Sequence, residues 1–139
     1  MYCKRKNSTN WQFPQGGIDK NEDIFDAALR ELYEEVGIDE NKIKLIKESD
    51  NWYKYDLPKK YKRNSFLWES FKGQKQKWFL FKLIEETKID LNNENSPEFD
   101  EFNWVDYWKP LDEIVEFKRE IYEKVLTELE PAYKSEFSK

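Results

Sequence analysis

No histidine occurs anywhere in the 139 residues. That absence removes Ser-His-Asp and Cys-His nucleophilic catalysis, phosphohistidine transfer and histidine-built zinc sites together. Any hydrolysis here must run on carboxylates and hard, oxygen-loving cations. Cysteine is nearly absent too. Cys3 alone rules out an intrachain disulfide framework and points to a reducing, cytoplasmic setting. No apolar run approaches the ~18 residues of a membrane span, and no signal-peptide pattern opens the chain. Neither repeats nor an interdomain linker interrupt it. Its length is that of one domain, commonly ~100–150 residues, so 1–139 is read as a single unit.

What is present is wet but not starved of core: 38% charged against 38% hydrophobic residues. Aromatics reach 17%, which argues against disorder and offers surplus rings for stacking on bases. A net charge of −5 ordinarily speaks against nucleic acid as a partner. That objection is weak for an enzyme that neutralises its substrate through bound metal ions.

Residues 1–10 read as the end of a strand and a turn, and Pro14 holds Trp11–Pro14 extended. Gln15-Gly16-Gly17 marks a tight loop. From Glu22 to Val36 the apolar residues Phe25, Ala28, Leu32 and Val36 recur every 3–4 positions, predicting a helix that Gly37 caps. Lys42–Leu57 alternates as one or two strands, and 58–73 is a basic, irregular loop. Lys75–Glu85 predicts one continuous, central strand. Ile89–Pro97 is an acidic loop, Phe102–Tyr107 a further strand, and Pro110 opens a C-terminal helical region. Leu111, Ile114, Ile121, Val125 and Leu129 share a stripe that Lys118 would interrupt on an unbroken helix. Because a charge there is costly, a break near Glu116–Lys118 is expected, turning Phe117 and Lys118 away from the core.

The densest signal is Gly16-x5-Glu22-x7-Arg30-Glu31-Leu32-x-Glu34-Glu35-x-Gly37-Ile38. Glu31, Glu34 and Glu35 stand at i, i+3 and i+4, so their carboxylates share one helical face. Like charges this close repel unless fully solvated. A divalent cation such as Mg²⁺ or Mn²⁺ turns that repulsion into coordination. With 19 Glu in the chain, a lone ExxEE is as readily a solvated face as a site. The full spacing is different, since nine fixed positions recur by chance roughly 10⁻⁹ times per start position.

That run resembles the complete Nudix box. The flanking words resemble the bacterial RNA pyrophosphohydrolase branch of the Nudix hydrolase family: Trp11-Gln12-Phe13-Pro14-Gln15-Gly16-Gly17-Ile18, Asn51-Trp52, Tyr55-Asp56-Leu57-Pro58-Lys59, Gly73-Gln74-Lys75-Gln76-Lys77-Trp78-Phe79-Leu80, Ser96-Pro97-Glu98-Phe99, Trp104-Val105 and Val115-Glu116-Phe117-Lys118-Arg119. The similarity spans about residues 4–128. It implies an α/β fold, the Nudix α/β/α sandwich with a mixed sheet. The implied reaction removes pyrophosphate from 5′-triphosphorylated (or diphosphorylated) RNA, leaving a 5′-monophosphate and opening the way to mRNA decay.

By the same resemblance Glu31, Glu34 and Glu35 are catalytic metal ligands for Mg²⁺, with Mn²⁺ an alternative, and Glu98 is a further ligand from outside the box. Arg30 braces loop and helix, alongside the structural motif residues Gly16, Glu22 and Gly37. Val115, Phe117 and Lys118 match residues that receive a base near the RNA 5′ end, and Arg5 matches a position near the phosphates. Lys75 and Lys77, on one strand face, fit phosphate contacts or plain solvation equally well. Lys59, Lys60, Lys62 and Arg63 form a basic loop that reads first as solvated and second as an RNA-backbone track. Family members begin earlier, with a strand and hairpin leading into the segment at Tyr2–Lys6. Here that hairpin is expected to be missing or shortened, leaving an unpaired sheet edge. Two other readings stay open: hydrolysis of dinucleoside polyphosphates such as Ap4A, and a Nudix-fold nucleotide- or RNA-binding module without turnover. The three intact box carboxylates speak against the latter.

Overall fold

In the computed structural model the described residues are 1–19, 21–55, 74–93 and 97–137, without the side chains of Tyr55, Gln74 and Phe117. The expected loop of Lys59, Lys60, Lys62 and Arg63 therefore lies outside the described residues, as do Gly73 and Ser96.

Alternation along the strands sets the layers. In β1 (Tyr2–Arg5) successive side chains point to opposite faces. Cys3 packs with Val36, Ile38 and Phe99, whereas Tyr2 packs with Ile114 and Tyr122. The same division runs along β6 (Phe79–Leu83). Phe79 and Phe81 meet the Phe25 ring of α1 (Ile24–Val36), while Leu80 faces Ile121, Val125 and Leu129 of the C-terminal helix. Strands thus lie between one helix on each side. This is the α/β/α sandwich that the resemblance implied.

Asp23 caps α1, its carboxylate accepting from the backbone of Phe25 (3.0 Å) and Asp26 (3.4 Å). Gly37 ends it in the left-handed region at φ 73°, donating to the Tyr33 carbonyl. A 3₁₀ turn (Glu40–Lys42) leads into β3 (Ile43–Glu48), which pairs with β6. β4 (Tyr53–Tyr55) pairs with β5 (Gln74–Gln76), and β1 lies between β2 (Trp11–Gln12) and β7 (Phe99–Asn103). Among the described residues every ladder is antiparallel, in place of the mixed sheet that the resemblance implied.

Three expectations are corrected. The single central strand over Lys75–Glu85 is two strands, β5 and β6, and among the described residues β6 pairs with β3 alone. The ladder is interrupted because Trp78 exchanges its backbone bonds with Ser49: its N–H donates to Ser49 Oγ (3.0 Å) and its carbonyl accepts from Ser49 N–H (2.8 Å). The strand expected over Phe102–Tyr107 begins earlier, at a buried Phe99, and ends at Asn103. The C-terminal break falls at Ile114–Val115, between α2 (Pro110–Glu113) and α3 (Glu116–Phe137). Starting α3 at Glu116 turns Lys118 onto the stripe of Ile121, Tyr122 and Val125. Lys118 is therefore buried, not presented outward.

Candidate active site

The loop Phe13–Asp19 lies along α1, and its closest approach is at Gly16. A Cβ there would overlap the Glu31 side chain as it stands, so any larger residue at this position would displace the Glu31 carboxyl. Arg30 ties the two together. Its Nε and Nη2 donate to both oxygens of Glu22 (2.8 and 2.9 Å), and Nη2 also donates to the Gly17 carbonyl (2.9 Å). Arg30 Nη1 donates to Glu31 Oε1 (2.9 Å) and Glu34 Oε2 (3.1 Å). This planar fork can do what an ammonium cannot, holding four oxygen groups at fixed angles. Hydrogen bonding from Arg30 holds the Glu22 carboxyl down at about 2, and the same bonds raise the Arg30 guanidinium.

The box carboxylates differ in setting. Glu34 is the most open, Glu31 is half-buried, and Glu35 lies in the interior beside Val36. Burial raises the Glu31 carboxyl and Arg30 opposes this, while the negative charges of Glu34 and Glu98 push it further up. Glu98 thus stands within electrostatic reach of the box. Its backbone carbonyl accepts from Lys6 N–H (2.8 Å), fixing the start of β7 against the end of β1. Burial raises the Cys3 thiol to about 12, with the Glu35 charge adding to it, so Cys3 is no thiolate nucleophile.

The donor set suits a hard divalent cation. Two carboxylates already flank one positive centre, Arg30 Nη1, and all the side chains offered are oxygen donors. Among the described residues no three acidic side chains are closed into a metal-holding cluster. Glu31 and Glu34 are bridged by Arg30 Nη1 instead.

The remaining expected residues form two further groups. Lys118 Nζ donates to Gln12 Oε1 (3.3 Å), and burial, followed by the Arg5 charge, lowers its ammonium to about 8. Arg5 is exposed at the end of β1, and Val115 sits half-buried in the break before α3. The expected ring of Phe117 lies outside the described side chains. Lys75 and Lys77 do share a face. Their ammoniums sit 4.9 and 5.7 Å from the centre of the Trp52 ring. Gln76 points the other way, donating from Nε2 to Gln15 Oε1 (3.2 Å) beside Gly16. Gln12 was not singled out by the sequence. Its partnership with Lys118 spans 106 positions, and no periodicity signals that.

The fold and the box together are those of a Nudix hydrolase domain, and comparison with known proteins bears this out. The NUDIX-domain family model matches residues 2–125, and the chain belongs to that family. It is 45% identical over 132 residues to a protein named RNA pyrophosphohydrolase from Aliivibrio fischeri, covering 92% of this chain and 75% of the relative. Two solved structures share the fold. One is the E. coli dihydroneopterin triphosphate pyrophosphohydrolase (TM-score 0.68, 20% identity, 91% of this chain and 84% of that one). The other is a C. elegans Ap4A hydrolase binary complex (TM-score 0.63, 18% identity, 94% and 86%).

Proposed function

We propose that this chain, read as one Nudix unit over 1–139, removes pyrophosphate from the 5′-triphosphate end of RNA and leaves a 5′-monophosphate. The observation that carries this reading is the 45% identity, over 92% of the chain, to a relative named RNA pyrophosphohydrolase. The intact box geometry around Arg30 supports it. Ap4A hydrolysis is supported only by likeness of fold.

Glu31, Glu34 and Glu35, with Glu98 just before β7, would hold the divalent cation on which Nudix hydrolysis depends; Mg²⁺ is the proposed ion and Mn²⁺ its substitute. When bound, it supplies Lewis-acid polarisation of phosphoryl oxygens and charge neutralisation. The chain's own residues do the rest. Arg30 fixes the Phe13–Asp19 loop against α1, so that the carboxylates meet the phosphates in a fixed geometry. With no histidine, a box glutamate is the proposed general base that takes the proton from the attacking water. Arg5 is proposed to meet the phosphates, as Lys75 and Lys77 would where the chain passes them. Val115, Phe117 and Lys118 are proposed to receive a base near the 5′ end. The lone buried thiol fits a reducing, cytoplasmic location. Among the described residues no helix is long and apolar enough to cross a membrane.

The test is incubation with Mg²⁺ and either 5′-triphosphate RNA or Ap4A, with kcat/KM compared between the two. The expected result favours RNA and disappears in EDTA. Preference for Ap4A, or full turnover in EDTA, would overturn the proposal.

A further inference from the structure

Trp52 is 41% exposed, yet both its neighbours are fastened inward. Glu128 of α3 accepts from Asp50 N–H (2.9 Å), Asn51 Nδ2 (3.1 Å) and Tyr53 Oη (2.6 Å). Ser49 Oγ donates to the Asn51 carbonyl (2.9 Å). The turn is pinned on each side, and the indole is held out to solvent.

Two cations accompany that ring. The Lys75 and Lys77 ammoniums stand 4.9 and 5.7 Å from its centre, and Lys77 Nζ also donates to the Asp50 carbonyl (3.4 Å). Another exposed ring beside a lysine, Phe137 near Lys82, has its cation paired to Glu136. An exposed indole with two ammoniums over it, on a chain of net charge −5, matches one ligand chemistry above others: an unpaired nucleobase that stacks on the ring while its phosphate draws the ammoniums. Position agrees. Gln76, between the two lysines, reaches Gln15 beside Gly16 on the opposite face of β5. The ring therefore lies across β5 from the box loop.

We infer that Trp52, Lys75 and Lys77 form a stacking platform for single-stranded RNA downstream of the 5′-terminal nucleotides. This rests on the RNA-hydrolysing reading above. The platform takes any base, because every base offers a π-face, and it requires a strand long enough to reach it. Substrate length, not terminal sequence, is what it senses.

The experiment compares KM for a 5′-triphosphate dinucleotide and a 5′-triphosphate octanucleotide in the wild type, Trp52→Ala, Trp52→Phe and Trp104→Ala. Trp104, 58% exposed just past the end of β7, is the control. Binding of a 5′-hydroxyl octanucleotide is followed in parallel by fluorescence anisotropy. The wild type is expected to bind the octamer more tightly than the dinucleotide. Trp52→Ala should erase that advantage, raising the octamer KM and Kd by about 5- to 150-fold. Trp52→Phe should restore part of it, and Trp104→Ala should match the wild type. An unchanged octamer KM in Trp52→Ala overturns the inference. So does an equal loss on both lengths, or a loss matched by a fall in melting temperature, since either means the ring orders the site or the fold generally. If the wild type turns over no RNA, the proposed activity has failed, and the anisotropy series alone decides the platform.

Discussion

Arg30 and Lys118 show two ways in which one side chain accommodates charge here. Arg30 gathers Glu22, Glu31 and Glu34 around a half-exposed guanidinium, so three carboxylates share one positive charge. Lys118 instead takes its charge into the interior, where Gln12 Oε1 accepts one hydrogen bond and Arg5 opposes it. The folded state holds this ammonium near 8 against an ordinary 10.5. Below pH 8 both folded and unfolded chains are protonated there, and the full cost of the buried charge is felt. Between pH 8 and 10.5 only the unfolded chain keeps the proton, so the cost fades as pH rises. Lys118→Met should therefore be more stable than the wild type at pH 7, by up to about 3 kcal/mol. That gain should shrink steadily towards pH 10.5 in urea unfolding at a series of pH values. A difference that stays flat with pH would show that the charge is not what burial penalises.

At the scale of elements, α1 was the most legible part of the sequence because everything that defines it is local. Its apolar spacing, the Gly37 stop and the three box glutamates all fall within a few turns of one another, and the structure adds the Asp23 cap at its start. Gly37 carries a testable share of that definition. At φ 73° an alanine is strained by about 1–2 kcal/mol. Its Cβ would also meet the Asp90 Cβ at 2.9 Å. Gly37→Ala should lower the melting temperature by about 3–8 °C, and an unchanged temperature would mean the cap is not fixed by this turn. The strands were less legible. The run Lys75–Glu85 alternates and is rich in aromatics, which fits one strand, but its interruption depends on Ser49, 29 positions away. The helix break was foreseen from the clash of Lys118 with an apolar stripe. Its direction was not, because the acceptor that makes burial tolerable, Gln12, lies in β2 at the other end of the chain.

On the scale of the whole molecule, an acidic chain that acts on a polyanion must concentrate its positive charge where the substrate runs. Arg5 and Lys118 lie together near the end of β1, and Lys75 and Lys77 lie over Trp52. Two helices enclose the strands between them, so α1 can pack inward through Val36 and Leu32 while its box residues meet the Phe13–Asp19 loop. The central claim is that this arrangement converts RNA 5′-triphosphate ends through the box carboxylates. Its most direct test treats 5′-triphosphate RNA with Mg²⁺ and the wild type or Glu35→Gln, then counts 5′-monophosphate ends with an exonuclease that requires them. Glu35 is buried, and the isosteric change removes a charge without removing volume, so the variant should melt at or above the wild-type temperature. The account predicts monophosphate ends with the wild type and at least a 100-fold slower appearance with Glu35→Gln, in line with loss of a general base or metal ligand. RNA ends that stay triphosphorylated with the wild type, or a well-folded Glu35→Gln that converts them at the wild-type rate, would contradict it.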